Sequence, residues 1–376
     1  MKLFKAIWGL LFRLFPCPTP VGLRRVGNPD RHSEVLVTCN FHTTVQRLTR
    51  LLEKAGVDAW LLVADSKGVN VWCAAGGDEF NTHSVVSAVK TSGVEDCVDH
   101  RRLILPPLGA PGIQTDELRS LTGWSSRWGP VYAEDLPRFL TGRCHRDESM
   151  RRVDYGWRER LDTALGSLFP FYLIGALGVL LFAPGLLASY LVVGAATFVL
   201  FMLACPWLPG KRGLSKALLL DALLAAVLLA SEILSPGASP IRTELGIAIS
   251  MLLLYGSELG GLAPTLPSDL DPFLARLGIG AVGNVALAGT VRTELLNGYR
   301  ELSYRRDLCN GCRRCFELCP QGVWEMDSEQ RAVLARRGEC TACRACLVQC
   351  MTEAVQAPHL AADGATLESH GLRGRH

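Results

Sequence analysis

The sequence predicts a multi-domain chain: a Rossmann-like α/β domain, an all-α membrane domain and a small α+β domain with an internal cysteine repeat. Three observations lead to this prediction. Short apolar runs alternate with helix-like segments in residues 21–145, and long apolar runs with few charges fill residues 160–292. Eight of the 14 cysteines fall in two identically spaced groups between Cys309 and Cys350. Each part therefore has its own sequence pattern.

Composition limits the function classes that this chain can belong to. Its 376 residues are enough for two or three domains. The net charge of only +3 lacks the strongly basic footprint of a nucleic-acid binder, so we expect no nucleic-acid partner. The eight clustered cysteines have the spacing of a metal-cluster protein and not of a disulfide scaffold. They indicate a reducing compartment.

The N-terminal segment, residues 1–20, begins with an amphipathic stretch in which Lys2, Lys5 and Arg13 lie apart from an apolar face. Its apolar run is short and no small-residue cleavage site follows, which argues against a signal peptide. The pattern favours a helix lying on the membrane surface. A helix packed on its own domain fits equally well.

Residues 21–145 have the pattern of a parallel α/β sheet. Apolar runs at residues 35–38, 59–64 and 103–105 are typical of strands buried on both faces. Residues 44–55 have helical apolar spacing and end at Gly56. Shorter helices are predicted at 115–121 and 134–140. Alternating strands and helices predict a Rossmann-like sheet.

Ligands of such sheets lie beyond the carboxyl ends of the strands. Cys73 follows the second predicted strand and so belongs to this edge. It either offers a thiolate to a metal or is buried as a small hydrophobic side chain. Residues 74–76 predict one helical turn, which Gly76 ends in a left-handed conformation. The candidate ligand-binding residues follow the strands: Thr38, Asn40, Thr43, Asn70, Val71, Trp72, Cys73, Ala74, Ala75, Gly76, Pro106, Leu108, Gly109 and Ala110.

Residues 160–292 contain four apolar runs that are long enough to cross a hydrocarbon core of about 30 Å. A shorter run lies at 277–291. Lys and Arg precede the first span and follow the second span and the last segment, but are scarce in the loops after the first and third spans. The positive-inside rule then predicts four crossings of the cell (inner) membrane, with both soluble ends cytoplasmic. The four runs are residues 164–183, 186–203, 217–234 and 245–264.

The cysteine repeat lies in residues 300–358 and reads Cys-x-x-Cys-x-x-Cys-x-x-x-Cys twice, with Pro320 after the first copy. Cys-x-x-Cys pairs also suit structural zinc, which is the alternative. The spacing resembles the bacterial-type two-cluster (dicluster) ferredoxins, in which the fourth cysteine of each copy reaches the other 4Fe–4S cluster. That resemblance implies a first quartet, Cys309, Cys312, Cys315 and Cys350, and a second quartet, Cys319, Cys340, Cys343 and Cys346. Residues 359–376 are polar and predicted to be disordered.

Residues 70–76, Asn-Val-Trp-Cys-Ala-Ala-Gly, resemble the cap-helix motif of the corrinoid proteins of mercury methylation. These are relatives of the corrinoid iron–sulfur methyl carriers of acetyl-CoA metabolism, which residues 103–112 and 128–132 also resemble. The resemblance implies a corrinoid-binding domain at residues 21–145, with Cys73 as the lower axial ligand of cobalt. The family motif usually ends in Lys where this chain has Gly77.

The second component of the mercury-methylating pair is a ferredoxin of the same two-cluster kind, so the chain resembles both components fused. The resemblance implies a membrane-bound corrinoid-dependent methyltransferase that passes a methyl group from methyl-Co(III) to Hg(II), giving methylmercury. Two 4Fe–4S clusters would return cobalt to Co(I). The implied partners are a methyl donor protein or methyl-folate-type donor, an electron donor, the membrane and Hg(II).

Two alternatives remain from the same residues. One is a corrinoid methyl carrier for another acceptor, because Gly77 departs from the family motif and no cysteine follows Cys350. The separate ferredoxin usually carries a further cysteine pair near its C-terminus. The other alternative is a membrane electron-transfer iron–sulfur subunit, in which the α/β domain serves only in docking. A cobalt analysis would distinguish the second from the first.

Overall fold

The computed structural model describes residues 16–153, 157–204, 207–209, 213–234, 241–258, 302–337, 340 and 343–356. The chain forms two compact units. One contains residues 16–153, called here the front domain, together with residues 302–356, the cysteine-rich domain. The other contains the helices between them. The predicted N-terminal helix, the apolar run at 277–291 and the tail at 359–376 lie outside the described residues.

The front domain is built on a five-stranded sheet in the order β1-β3-β2-β4-β5. The pairs β3–β2, β2–β4 and β4–β5 are parallel, which confirms the predicted parallel sheet. The chain runs from β2 to β3 on one side and then to β4 on the other, so the topological switch point lies between β2 and β4. The strands are Gly22–Val26 (β1), Val35–Cys39 (β2), Ala59–Ala64 (β3), Arg102–Leu105 (β4) and Ser125–Trp128 (β5).

The sheet contains two strands that the sequence did not predict, and both are edge strands. β1 pairs antiparallel to β3, so the sheet is mixed and not wholly parallel. Arg24 and Arg25 lie in β1, and Ser125, Ser126 and Arg127 lie in β5. Edge strands tolerate polar residues because one side faces solvent. They therefore lack the apolar runs by which buried strands are recognised.

Helices cover both faces of the sheet. α1 and α6 pack on one face through Val45, Leu52 and Phe139. α3 and α5 pack on the other through Val85, Val89 and Leu118. The predicted helices at 44–55, 115–121 and 134–140 are confirmed, with a 3₁₀ turn before the last. The helices are His42–Lys54 (α1), Val71–Gly76 (α2), Thr82–Thr91 (α3), Val94–Cys97 (α4), Thr115–Thr122 (α5) and Leu136–Thr141 (α6).

The described part of the second unit contains four helices, which overlap the four predicted apolar runs. Their shared core includes Phe198, Phe201, Leu252 and Tyr255. Within the described residues, one segment, Pro184–Ala204, is both long and apolar enough to cross a membrane. The membrane domain therefore stays a prediction. The helices are Trp157–Phe182 (α7), Leu187–Ala204 (α8), Gly213–Leu234 (α9) and Ile241–Glu258 (α10).

The cysteine-rich domain is a small α+β fold with two similar halves, as predicted. Arg313 and Arg344 have φ near +65° and start α11 and α12 at equivalent places in the two halves. Two antiparallel ribbons, β6–β9 and β7–β8, complete the domain around buried Trp324. The elements are Ser303–Tyr304 (β6), Arg314–Leu318 (α11), Trp324–Met326 (β7), Ala332–Leu334 (β8), Ala345–Val348 (α12) and Val355–Gln356 (β9).

Candidate functional site

Asn70, the residue before α2, makes two contacts with Cys73. Its Oδ1 accepts a hydrogen bond from the Cys73 backbone N–H at 3.1 Å, and its Nδ2 donates to the Cys73 Sγ at 3.3 Å. The backbone of Asn70 is extended, as an N-cap requires. Ala74 and Ala75 are buried and hold α2 in the core, while Cys73 stays half-buried. Asn70 therefore fixes both the start of α2 and the direction of the thiol.

The end of α2 differs from the prediction. Gly76 lies inside the helix, Gly77 caps it with φ −99° and ψ 6°, and the left-handed residue is Asp78, with φ +65°. The N–H groups of Glu79 and Phe80 both bond to the Ala74 carbonyl oxygen, which moves the turn two residues along the chain. Asp tolerates the left-handed region better than most residues, so glycine is not needed there.

Replacing Asn70 with alanine should destabilise the front domain by about 1 kcal/mol, because α2 loses its cap. Asn70→Asp keeps the cap oxygen but removes the N–H donor to Cys73, so it should recover most of that stability. Denaturant unfolding of the three proteins measures the difference. Asn81→Ala is the matched control, because it shows what the loss of an asparagine cap costs at another helix of the front domain, α3. Equal stability of the Ala and Asp variants would contradict the capping role.

Asn40, a predicted site residue at the carboxyl end of β2, stabilises the loop that leads into α2. Its Oδ1 accepts from Ser66 N, Ser66 Oγ and Gly68 N at 2.8–3.0 Å. Its Nδ2 donates to the Asp65 Oδ1 at 2.9 Å. The Asn40 side-chain amide is thus used in positioning residues 65–70. Asn40 would therefore act on a bound ligand by holding this loop in shape.

The loop after β4, residues 106–113, is called the β4 loop. It contains the predicted site residues Pro106, Leu108, Gly109 and Ala110, and its 3₁₀ turn packs against α2. A Cβ on Gly112 would overlap the carbonyl oxygen of Phe80 and lie 3.1 Å from that of Ala75. Only glycine allows this close approach. The β4 loop and α2 are therefore packed backbone to backbone.

Two buried hydroxyl groups at the same edge of the sheet make no hydrogen bond to the described residues. The Oγ1 atoms of Thr38, at the end of β2, and Thr43, at the start of α1, are buried without a hydrogen-bond partner in the described part of the chain. Buried hydroxyls are normally hydrogen-bonded. Their position at the switch point fits a cofactor that brings polar groups to this edge. The site residues present thus fit a corrinoid held between Thr38, Thr43, α2 and the β4 loop.

Cys39 is the other cysteine at this edge, and it is chemically different from Cys73. It is fully buried, and burial raises the pKa of its thiol to about 11. A buried neutral thiol of this kind behaves as a small apolar side chain. It serves as an inert control for Cys73.

The second quartet lines one pocket. Cys319, Cys340, Cys343 and Cys346 all face it, together with Trp324 and Val323. Burial, followed by the nearby thiols of Cys319 and Cys340, raises the pKa of Cys343 to about 12. The thiols of such a site are deprotonated when a metal binds them.

The first quartet is grouped in the same way. Burial raises the pKa of Cys315 to about 12, and the neighbouring thiols of Cys312, Cys350 and Cys309 contribute. The structure thus brings the fourth cysteine of each repeat to the other repeat's group. In the described residues, no three His, Cys, Asp or Glu side chains converge on one point as a single-ion site requires.

Sequence reasoning did not single out four residues that join the cysteine-rich domain to the front domain. Arg314 pairs with Asp116, Gln349 donates to the β4 loop, and Arg146 donates to the Glu317 carbonyl oxygen at 3.0 Å. Burial lowers the pKa of Arg146 to about 10. Polar residues of this kind look like ordinary surface residues in a sequence. Only the fold shows that the Gln349 and Arg146 side chains are covered.

Two family models match the chain. Residues 15–140 match the CO dehydrogenase/acetyl-CoA synthase delta subunit. Residues 301–351 match the 4Fe-4S dicluster domain. The chain therefore combines a domain like those of corrinoid iron–sulfur proteins with a 4Fe–4S ferredoxin-like domain.

Curated relatives are similar to the front domain. The gamma subunit of the acetyl-CoA decarbonylase/synthase complex of Methanopyrus kandleri is 37% identical over 119 residues, covering 32% of this chain and 25% of that protein. The gamma subunit of Methanocaldococcus jannaschii is 33% identical over 143 residues, which is 38% of this chain and 28% of that protein. The corrinoid/iron-sulfur protein large subunit of Moorella thermoacetica is 28% identical over 117 residues, covering 31% and 26%. The chain spans about a quarter of the length of these relatives.

Proposed function

We propose that this protein is a membrane-bound corrinoid-dependent methyltransferase with a built-in two-cluster ferredoxin, and that its methyl acceptor is Hg(II). The observation that carries the proposal is the half-buried Cys73 thiol, held by Asn70 beside the β4 loop. The matched family models and relatives support a corrinoid methyl-carrier role. The motif at residues 70–76 supports the mercury acceptor.

When bound, a corrinoid supplies a cobalt that accepts and passes on a methyl group, and iron–sulfur clusters supply single electrons. The chain supplies the rest. Cys73 would hold the cobalt through its thiolate, which is an electron-rich donor. Asn70 holds the Cys73 Sγ in one direction through its N–H. Thr38 and Thr43 offer hydroxyls to the cofactor, and Gly112 keeps the β4 loop against α2.

A single-turnover assay tests the acceptor. Anaerobically purified protein is loaded with a methylated corrinoid, freed of excess cofactor and mixed with Hg(II). We expect one equivalent of methylmercury per corrinoid bound. Failure to form methylmercury, with corrinoid bound, would exclude Hg(II) as the acceptor.

The relatives favour one second candidate, a methyl carrier that serves a carbon-metabolism enzyme. Their names place them in acetyl-CoA decarbonylase/synthase complexes. The same methylated protein distinguishes the two candidates when it is offered the other subunits of such a complex in place of Hg(II). Faster transfer to those subunits would favour the carrier function.

We also propose that α7 to α10 cross the cell (inner) membrane and leave both soluble ends in the cytoplasm. The four helices of the described residues and the Lys- and Arg-rich segments before the first and after the second support this topology. Single cysteines placed at Ser239 and at Asn297 should be labelled from opposite sides of sealed inner-membrane vesicles. Labelling of both from one side would contradict it.

A further inference from the structure

Two polar side chains of the cysteine-rich domain, those of Arg314 and Gln349, bond to the front domain near the β4 loop. The Nη1 and Nη2 atoms of Arg314 donate to the Asp116 carboxylate, at 2.5 and 3.1 Å. The Nε2 of Gln349 donates to the carbonyl oxygens of Ala110 and Ile113, at 3.0 and 2.6 Å. Gln349 is only 1% exposed. A buried amide that donates to two backbone carbonyls fixes orientation, because a shifted domain would leave those carbonyls unpaired.

These two contacts break the twofold repeat of the domain. Arg314 and Gln349 each immediately precede a cysteine of the first quartet, Cys315 and Cys350. Their equivalents beside the second quartet are Ala345 and Leu318, which pack against Ala110. The apolar pair supplies contact area but no directional bond. The polar pair therefore orients the domain, so that the first quartet lies beside the β4 loop and Asp116.

The β4 loop connects this interface to α2. Ile113, which accepts from Gln349, follows Gly112, whose backbone lies against Ala75 of α2. Cys350 therefore reaches α2 through one side chain and one loop. Cys73 lies on the same short helix. Electron transfer through protein falls steeply with distance, so a short route of this kind, with one hydrogen bond and one close backbone contact, matters.

We propose that Arg314 and Gln349 are positioning residues for electron transfer, which hold the first quartet against the β4 loop and make it the electron exit toward Cys73. The proposal rests on the proposed function. One electron leaves a reduced cluster in the first quartet, which is oxidised by one electron, and the corrinoid cobalt is reduced by one. A low-potential one-electron reductant restores the cluster. The bonds of Arg314 and Gln349 are kept throughout.

A charge-swap series on the full-length protein tests the contact itself. Arg314→Asp and Asp116→Arg each remove the ion pair, and the double variant restores it with reversed charges. Hydrogen exchange of residues 110–118, measured without corrinoid, should become about tenfold faster or more in each single variant. It should return close to the parent rate in the double variant. Arg31→Asp, which breaks the exposed pair with Asp99 in the same domain, is the matched control.

Electron transfer is measured separately, by stopped-flow absorbance of cobalt after the clusters are reduced with titanium(III) citrate. Gln349→Leu keeps the volume of the side chain but removes both donated bonds. We expect cobalt reduction to slow about tenfold or more in Gln349→Leu and Arg314→Asp and to recover in the charge-swapped protein. The control variant should match the parent.

Three outcomes would overturn the proposal. Unchanged hydrogen exchange in Arg314→Asp refutes the contact. Faster exchange with an unchanged rate of cobalt reduction refutes the electron-transfer role. The role is also refuted if the charge-swapped protein regains the parent rate of hydrogen exchange but still reduces cobalt as slowly as the single variants. Failure of the proposed function is seen separately in the unmutated protein, which would then either contain no corrinoid or bind corrinoid without methylating Hg(II).

Discussion

Replacing Cys73 with alanine should remove the thiolate–cobalt absorption signature and lower methyl transfer by at least about 100-fold. Changes to groups that merely support a metal ligand already cost about 10–100-fold, so loss of the ligand itself should cost more. The fold should persist, because Cys73 is half-buried and alanine is the best helix former. Visible spectroscopy and single-turnover transfer on matched amounts of corrinoid-loaded protein measure the two effects.

Cys39→Ala is the control for this experiment. Cys39 lies at the same edge of the sheet but is fully buried with a raised thiol pKa, so its loss should leave the spectrum unchanged. Cys97 and Cys17 are likewise predicted to be dispensable. Full activity of Cys73→Ala would refute the ligand assignment. Equal losses in the Cys73 and Cys39 variants would show that the effect arises from packing.

Replacing Cys343 with alanine should end multiple turnover while leaving one methyl transfer from pre-methylated protein intact. The variant loses a ligand of the second quartet, and iron content should fall by about half. Re-reduction of cobalt then lacks its electron supply. Cys312→Ala should do the same through the first quartet. Iron analysis, single-turnover transfer and steady-state turnover with a common electron donor measure the three effects.

The single-turnover arm separates an electron-transfer defect from a structural one. A metal cluster also stabilises the domain that binds it, so a cluster-free variant that had lost its fold would disturb the docked front domain as well. Retention of the single transfer shows that the front domain is unaffected. A variant without clusters that sustains many turnovers with the parent's electron donor would contradict the role of both quartets.

The sequence predicted the parts of the molecule in which one residue pattern meets one physical requirement. Strands buried on both faces must be apolar, so residues 35–38 and 59–64 were recognisable. The cysteine spacing resembles that of the bacterial-type two-cluster ferredoxins, and this resemblance implied the two quartets before any fold was known. One helical turn was predicted at residues 74–76, but the cap that Asn70 provides and its bond to the Cys73 Sγ were not, because both depend on the rotamer of Asn70.

The features that the sequence missed depend on tertiary contacts. β1 and β5 are polar edge strands whose identity comes from the strands beside them. Gly76 was expected to be left-handed because glycine tolerates that conformation, yet the backbone bonds of Glu79 and Phe80 place the turn at Asp78. Gln349 differs from its repeat equivalent, Leu318, only by being polar. Its burial against Ala110 and Ile113 required the domain contact to be seen.

The order in which this chain can fold follows from the separation of its contacts along the sequence. The front-domain sheet uses residues 22–128 alone, so it can be complete before residue 302 has been synthesised. Asp116 and Arg314, by contrast, are 198 positions apart. Each doubling of a flexible loop adds only about 0.6 kcal/mol of closure entropy, so the long separation of the two partners costs the docked state little. Docking can begin only after Arg314 has been synthesised, and a ribosome releases each chain with both domains already joined.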